Sequence, residues 1–373
     1  MHDRQGHAAA LVAGVRKIHD AIAARVRTVV KAMVVADGHP RRFALSGQSD
    51  SAHEHDHDKT CSESFHGALL RLMRVHPLVD RIVDAYLDAI DHERPSLVEG
   101  LYLTGSAALG DFRPHTSDID FVALTANRPD AAAIAALQRA HRRLRSRWPR
   151  PHFDGLYVTW DELARDPALT RGGPRSYEGR FHARNTGSGD PVTWHTVAHH
   201  GIACRGPQPP DLNIWADPAE LAWWALDNFD TYWRPLLSRA SRVLNRRRAI
   251  ALTSYGAVWI VLGVSRLHYT LATGEICSKE RAGRYALQTF PEQWHRIVSE
   301  SLRIRQADRA RPDLVSAVAE ITANLRIRPA GDGGSLYRTP FARRRDALAF
   351  GDMVITDAVR RYGSRRVSGV VRP

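Results

Sequence analysis

The stretch that decides the fold is Gly105-Ser-Ala-Ala-Leu-Gly-Asp-Phe-Arg-Pro-His-Thr-Ser-Asp-Ile-Asp120. Directly before it, Leu97-Val-Glu-Gly-Leu-Tyr-Leu-Thr104 is strand-like, and at its end Asp118-Ile-Asp-Phe-Val-Ala-Leu124 opens a second strand. A Gly-Ser pair after a strand marks a tight turn. Gly105 lets the backbone come close to a phosphate, and Ser106 offers it an N–H and a hydroxyl. Side chains alternate faces along a strand, so Asp118 and Asp120 project to one side with Ile119 buried behind them. Two carboxylates facing one point repel each other unless a cation sits between them. Hard oxygen ligands beside a phosphate-binding turn are what Mg²⁺ with a nucleotide requires.

Working outward, apolar residues from Leu78 to His92 recur at helical spacing, Pro129 to Trp148 is a helix rich in Ala and then Arg, and Phe153 to Trp160 is a third strand. Asp154 begins that strand, where a third carboxylate joins the pair as metal ligand or as general base. Strand, helix and strand at these spacings predict a small α/β unit. After Trp160 the text becomes Gly- and Pro-punctuated, then helical from Pro218 to about Arg326. The expected fold class is α+β, a small mixed-sheet domain followed by a mainly α-helical one. The expected segments are an N-terminal extension over 1–65, the sheet domain over 66–165, the helical domain over 166–327 and a basic, partly mobile tail over 328–373. In the extension, His53-Glu-His-Asp-His-Asp58 has ligand types for a divalent metal, but its Ser- and Asp-rich setting favours a solvated linker.

With 373 residues, 43% of them hydrophobic, the chain can bury more than one core. Its 53 Lys+Arg against 40 Asp+Glu give a formal net charge of +13, which suits polyanionic partners. Cys61, Cys204 and Cys277 are widely spaced and form no C-x-x-C, which argues against a disulfide scaffold and a structural zinc module. No secretion signal is legible at the start, and the most apolar run, Tyr255 to Val264, is far shorter than the roughly 20 residues of a spanning helix. A cytoplasmic protein is expected, with a buried helix at that run.

Strand, Gly-Ser, a spacer with Gly110, and Ser-Asp-x-Asp opening another strand together resemble the nucleotidyltransferase superfamily. Leu101 to Leu124 is similar to the matching stretch of the streptomycin/spectinomycin adenylyltransferases, including the cadence Arg-Pro-His-x-Ser-Asp-Ile-Asp. His200-Gly-Ile-Ala-Cys-Arg-Gly-Pro207 resembles a His-containing stretch of that family. Ser265-Arg-Leu-His-Tyr-Thr-Leu-Ala-Thr-Gly-Glu-Ile-Cys-Ser-Lys-Glu280 resembles its carboxy-terminal signature. The resemblance covers roughly Leu78 to Arg326. One compositional fact points the same way: the basic residues include only four lysines, Lys17, Lys31, Lys59 and Lys279, and the last falls where the family places a nucleotide-binding Lys.

The resemblance implies an enzyme that moves AMP from ATP, as co-substrate, to a hydroxyl of an aminoglycoside-like small molecule, with pyrophosphate leaving. It implies Asp118 and Asp120 as Mg²⁺ ligands. Gly105, Ser106, Ser117 and Lys279 would be nucleotide contacts, and Asp154 would stand in, as base or third ligand, for a family glutamate one methylene longer. Aminoglycosides are polycations, yet where the resistance enzymes place carboxylates this chain reads Thr253-Ser-Tyr-Gly-Ala257, after a basic run holding Arg239, Arg242 and Arg246 to Arg248. Glu178, Asp227, Asp230 and Glu275, with Trp223, Trp224, Tyr232 and Trp233, are other groups that could line a cleft, though helical spacing puts most of these aromatics in a core. His182, His195, His199 and His200 are expected to cap or pack a helix, since no Cys or acid supports a zinc site there. Two alternatives remain: a nucleotidyltransferase of the same fold acting on RNA or protein, and a non-enzymatic nucleotide- or nucleic-acid-binding regulator. Nucleic acid is permitted by the charge but not expected, and no membrane partner is expected.

Overall fold

A computed structural model describes residues 75–170, 172–184, 189–241, 251–308 and 334–366, all within one compact unit. The expected N-terminal extension with its His/Asp run, and the Arg246 to Arg248 cluster, lie outside the described residues. Helix α1 (Pro77–Glu93) starts where Pro77 occupies the first turn and His76 Nδ1 accepts from Leu78 N at 3.1 Å. It leads into strand β1 (Gly100–Leu103), a single helical turn α2 (Gly105–Ala108), β2 (Ile119–Thr125), α3 (Ala131–Arg147) and β3 (Phe153–Thr159). The Gly-Ser pair thus opens a single helical turn that follows Thr104, where a tight turn is expected from sequence.

A short helix α4 (Trp160–Leu163) follows, then β4 (Arg175–Tyr177), β5 (Arg180–His182), α5 (Pro191–His200) and β6 (Ile202–Arg205). The six strands form one sheet in the order β5-β4-β3-β2-β1-β6; β2 and β3 are parallel, with α3 as their crossover, and the other pairs are antiparallel. The boundary expected at 165 therefore falls inside the sheet, because three strands come after it. They are short, and Gly and Pro around them mask their period-2 signal. The His200 to Pro207 stretch is structural here: β6 pairs with β1, and Arg205 forks onto Asp91 and the carbonyl of Val98.

Alternation assigns the sheet faces. Leu101, Leu103, Ile119, Phe121 and Ala123 pack with α1 and α3, whereas Tyr102, Val122 and Leu124 pack with Trp194 and Val197 of α5. Asp120 shares the face of Val122 and Leu124.

The helical domain comprises α6 (Pro218–Asn228), a π turn over Phe229–Trp233, α7 (Arg234–Ser241), α8 (Ser254–Thr273), α9 (Lys279–Thr289), α10 (His295–Gln306) and α11 (Pro340–Tyr362). The apolar run from Tyr255 is the buried helix α8, and among the described residues no helix is long and apolar enough to cross a membrane. Helix α11 corrects the expectation of a tail. Its Ala347, Phe350, Val354, Ile355 and Ala358 sit in the same core as Ile260, Val261 and Leu262 of α8. The i, i+3, i+4 spacing was present in the sequence but hidden among arginines. Trp233 belongs to this core and Trp224 packs against it, while Trp223 and Tyr232 are exposed.

Candidate active site

Two neighbouring parallel strands build the carboxylate edge. The register sets Asp120 beside Asp154, and neighbours in register share a face, so both carboxylates project together. Asp118 lies just before β2 and, two residues from Asp120, faces the same way. One ligand atom each from Asp118, His152 and Asp154 lie within 4.8 Å of one another, the group among the described residues that could hold a metal ion. His152 Nδ1 is 3.5 Å from Asp118 Oδ1, and the Asp118 side chain is 37% exposed, so the cluster opens outward.

Each carboxylate is differently restrained. Asp154 accepts from Glu178 N at 2.6 Å, Gly179 N at 2.8 Å and Ser176 Oγ at 3.2 Å, so the β4–β5 turn clamps it. Asp120 lies against Gly105. Burial pushes its carboxyl up to about 7, and the charges of Asp118 and Asp154 push the same way, opposed by Lys279 and Arg266. Carboxylates crowded at one point form a site that a cation relieves, and the donor set that meets there, the carboxylates of Asp118 and Asp154 with the imidazole of His152, suits a divalent ion, with Asp120 beside Asp154 on the neighbouring strand.

The expected phosphate contacts divide. Ser106 Oγ is buried and has no hydrogen-bond partner, a donor waiting for an acceptor. Ser117 Oγ accepts from Arg113 N at 3.0 Å, closing the 113–117 turn, and keeps its own hydrogen to donate. Lys279 is the first residue of α9, across from the sheet domain; its ammonium lies 5.2 Å from the ring centre of Trp259 and attracts Asp120 electrostatically. Burial, then Arg305 and Arg266, hold Lys279 down at about 8. Arg266, from the quoted Arg-Leu-His-Tyr run, is likewise coupled to Asp120, and its Nε donates to Cys277 O at 2.9 Å.

The α2–β2 loop brings the two domains to this point. Asp111 Oδ2 accepts from Arg305 Nε at 3.1 Å and from Glu280 N at 3.3 Å, and Arg305 also donates to Asp111 O at 2.9 Å. Arg113 pairs with Glu280 at 2.6 Å, and Thr116 Oγ1 donates to Asp308 at 2.9 Å. Asp111 thereby accepts from one of the N–H groups at the start of α9, the turn that carries Lys279.

Sequence reasoning missed His152, Asp111 and Arg305. Period-2 alternation from Asp154 back to His152 was the available signal for the first; for the buried pair there was none, since the partners are 194 residues apart. Of the nominated acids, Asp230 pairs with Arg234, and Glu275 accepts from Tyr269 Oη and pairs with Arg281. His195 is buried, its Nε2 3.0 Å from Asp217 O, a packing role as expected.

Comparison with known proteins adds independent findings. The family model described as nucleotidyltransferase domain matches residues 83–161, and the one described as aminoglycoside adenylyltransferase, C-terminal domain matches residues 247–326. Among solved structures the chain is similar to a spectinomycin adenyltransferase from Enterococcus faecialis, solved with ATP and spectinomycin, at 11% identity and a TM-score of 0.47, over 74% of this chain and 98% of that one. No curated protein matches the chain. By its two matched domains, the chain is an enzyme of the nucleotidyltransferase type that resembles the aminoglycoside adenylyltransferases.

Proposed function

We propose that the enzyme transfers AMP from ATP to a hydroxyl of an aminoglycoside-like small molecule and releases pyrophosphate. The observation that carries this reading is the docking of the two matched domains at the α2–β2 loop, where Asp111 accepts from Glu280 N and Arg305 Nε and so holds the start of α9, with Lys279, beside the loop that leads to Asp118 and Asp120. Asp118, Asp120 and Asp154 would hold Mg²⁺, which when bound supplies charge neutralisation at the α-phosphate and at the attacking and leaving oxygens. Asp154, already accepting three hydrogen bonds, serves better as a fixed ligand than as a base, since it keeps about one free lone-pair site. Gly105 provides the close backbone approach to phosphate, Ser106 and Ser117 donate hydroxyl hydrogens to it, and Lys279 contacts it from the helical side as a compact point charge. The acceptor oxygen attacks the α-phosphorus as its hydroxyl proton passes to solvent water at the outward-open edge, the bond from the α-phosphorus to the bridging β-phosphate oxygen breaks, pyrophosphate leaves with that oxygen, and no covalent enzyme intermediate forms. A cytoplasmic location, where ATP is supplied, completes the reading.

The test is pyrophosphate release from Mg-ATP across streptomycin, spectinomycin and other aminoglycosides, with Asp120→Asn as control. Release dependent on one compound and abolished by the substitution supports the proposal and names the acceptor. Release that total RNA alone elicits would replace the small molecule by a polynucleotide acceptor.

A further inference from the structure

A second concentration of chemistry lies at the far end of α3. Leu137, Ala140, His141 and Leu144 turn inward, which leaves Arg142, Arg143, Arg145 and Arg147 on the outer arc, and Arg150 follows in the loop. All five are exposed, and none forms an ion pair with a described residue. The helix dipole accounts for Arg145 and Arg147 in the last turn, not for the other three.

Between this end of α3 and α1 runs a groove of about 550 Å³ lined by Arg143, Arg147, His92, Ser146 and Trp148, with Asp88 its one acid. The Trp148 indole N–H is buried and has no acceptor, and the guanidinium of Arg81 lies over its ring, 5.6 Å from the centre. Guanidinium groups match phosphate oxygens in a planar fork, and an Arg–Trp stack is a platform on which a base can lie. Because α3 crosses from β2 to the parallel β3, this end of the helix leads into His152 and Asp154 at the carboxylate edge.

We propose that the α1–α3 groove binds single-stranded nucleic acid, its phosphates on Arg143, Arg147 and their neighbours and a base on the Arg81–Trp148 stack. This goes beyond nucleotidyl transfer and does not rest on the identity of the acceptor. An acidic protein would use the charges but not the stack, and a membrane would need an apolar face that the arginine arc lacks.

The experiment is fluorescence anisotropy of the full chain with a fluorescein-labelled single-stranded RNA oligonucleotide, titrated between about 50 and about 200 mM salt. Binding should weaken log-linearly with salt. R143E/R147E should weaken it at least tenfold and lower the salt slope by about 1.4, two contacts at about 0.7 each. If that variant does not fold, R142E/R145E on the same arc should show the tenfold loss. The same charge change elsewhere, R165E/R234E, should leave affinity within about twofold, since a distant charge acts only through the screened overall field. Equal loss in both sets, no loss in either, tighter binding of a duplex of the same sequence, or equally arginine-dependent capture of poly-L-glutamate or phosphatidylserine vesicles would each overturn the proposal.

Discussion

The carboxylate of Asp120 lies so close to the α-carbon of Gly105 that a methyl group added there would come within 2.0 Å of Asp120 Oδ2. Gly105 also has φ +56°, in the left-handed region. Two independent requirements, space and backbone conformation, thus fix glycine at the second residue after β1. The backbone that lets a phosphate approach and the carboxylate of the metal edge thus lie against each other.

Gly105→Ala should therefore act on the carboxylate as much as on the turn. We expect a loss of about 1–3 kcal/mol in stability from strain and contact, and a fall of at least about a hundredfold in transfer as Asp120 is displaced. Thermal unfolding together with single-turnover transfer checks both. Activity within a factor of a few of the parent would show that Asp120 does not need its position against Gly105.

Asp120→Asn separates charge from shape. A carboxyl raised to about 7 in the folded protein binds a proton that the unfolded chain, at 3.8, has already lost. Between those values the native state holds more protons, so this group lowers stability progressively as pH rises and restores it as pH falls. In metal-free protein above about pH 8, Asp120→Asn should raise stability by on the order of 1–3 kcal/mol, with a smaller gain near pH 5. Denaturant unfolding at the two pH values measures this, and the variant should bind Mn²⁺ more weakly whatever its gain in stability. A variant less stable at both pH values would refute the repulsion argument.

Lys279 titrates with the opposite sign for function. Its folded value of about 8 lies below the ordinary 10.5, so across that window the native chain binds fewer protons and this group adds stability as pH rises. The phosphate contact is lost over the same range. Affinity for a non-hydrolysable ATP analogue should fall about fivefold from about pH 8 to about pH 9, and Lys279→Arg should flatten that fall while weakening binding near pH 7. Calorimetric titration of both proteins decides it; a parent affinity independent of pH there would remove Lys279 from the nucleotide site.

Asp111 and Arg305 form the buried hinge of the arrangement, each about 5% exposed. Removing one partner leaves the other charged and buried. Arg305→Met should cost about 3 kcal/mol and reduce transfer, because the start of α9 loses its anchor. The double substitution Asp111→Asn/Arg305→Met should recover part of the stability but not the activity. If stability and activity recover together, the pair positions nothing.

Much of this was legible from the chain. Helix α1, the crossover α3 and strands β1 to β3 follow directly from periodicity, and the alternation around Ile119 already put Asp118 and Asp120 on one side. What stayed hidden has physical causes. Strands β4 to β6 are three or four residues long, too short for a period to emerge, yet β4 and β5 supply the turn that clamps Asp154. Helix α11 carries a core stripe from Ala347 to Ala358 that charged neighbours obscure. The Asp111–Arg305 contact depends on tertiary docking, and no local rule reports a pairing across that distance.

The central claim is that the carboxylate edge and Lys279 work as one site for nucleotidyl transfer. The most direct measurement uses ATP labelled at the α-phosphorus, incubated with the parent, Asp120→Asn and Lys279→Met enzymes and the acceptor that elicits pyrophosphate release. The account predicts label on the acceptor as AMP with the parent alone, and a double variant no worse than the poorer single one, since both residues serve one step. Label transfer that survives Asp120→Asn, or losses that multiply as if at independent sites, would contradict it.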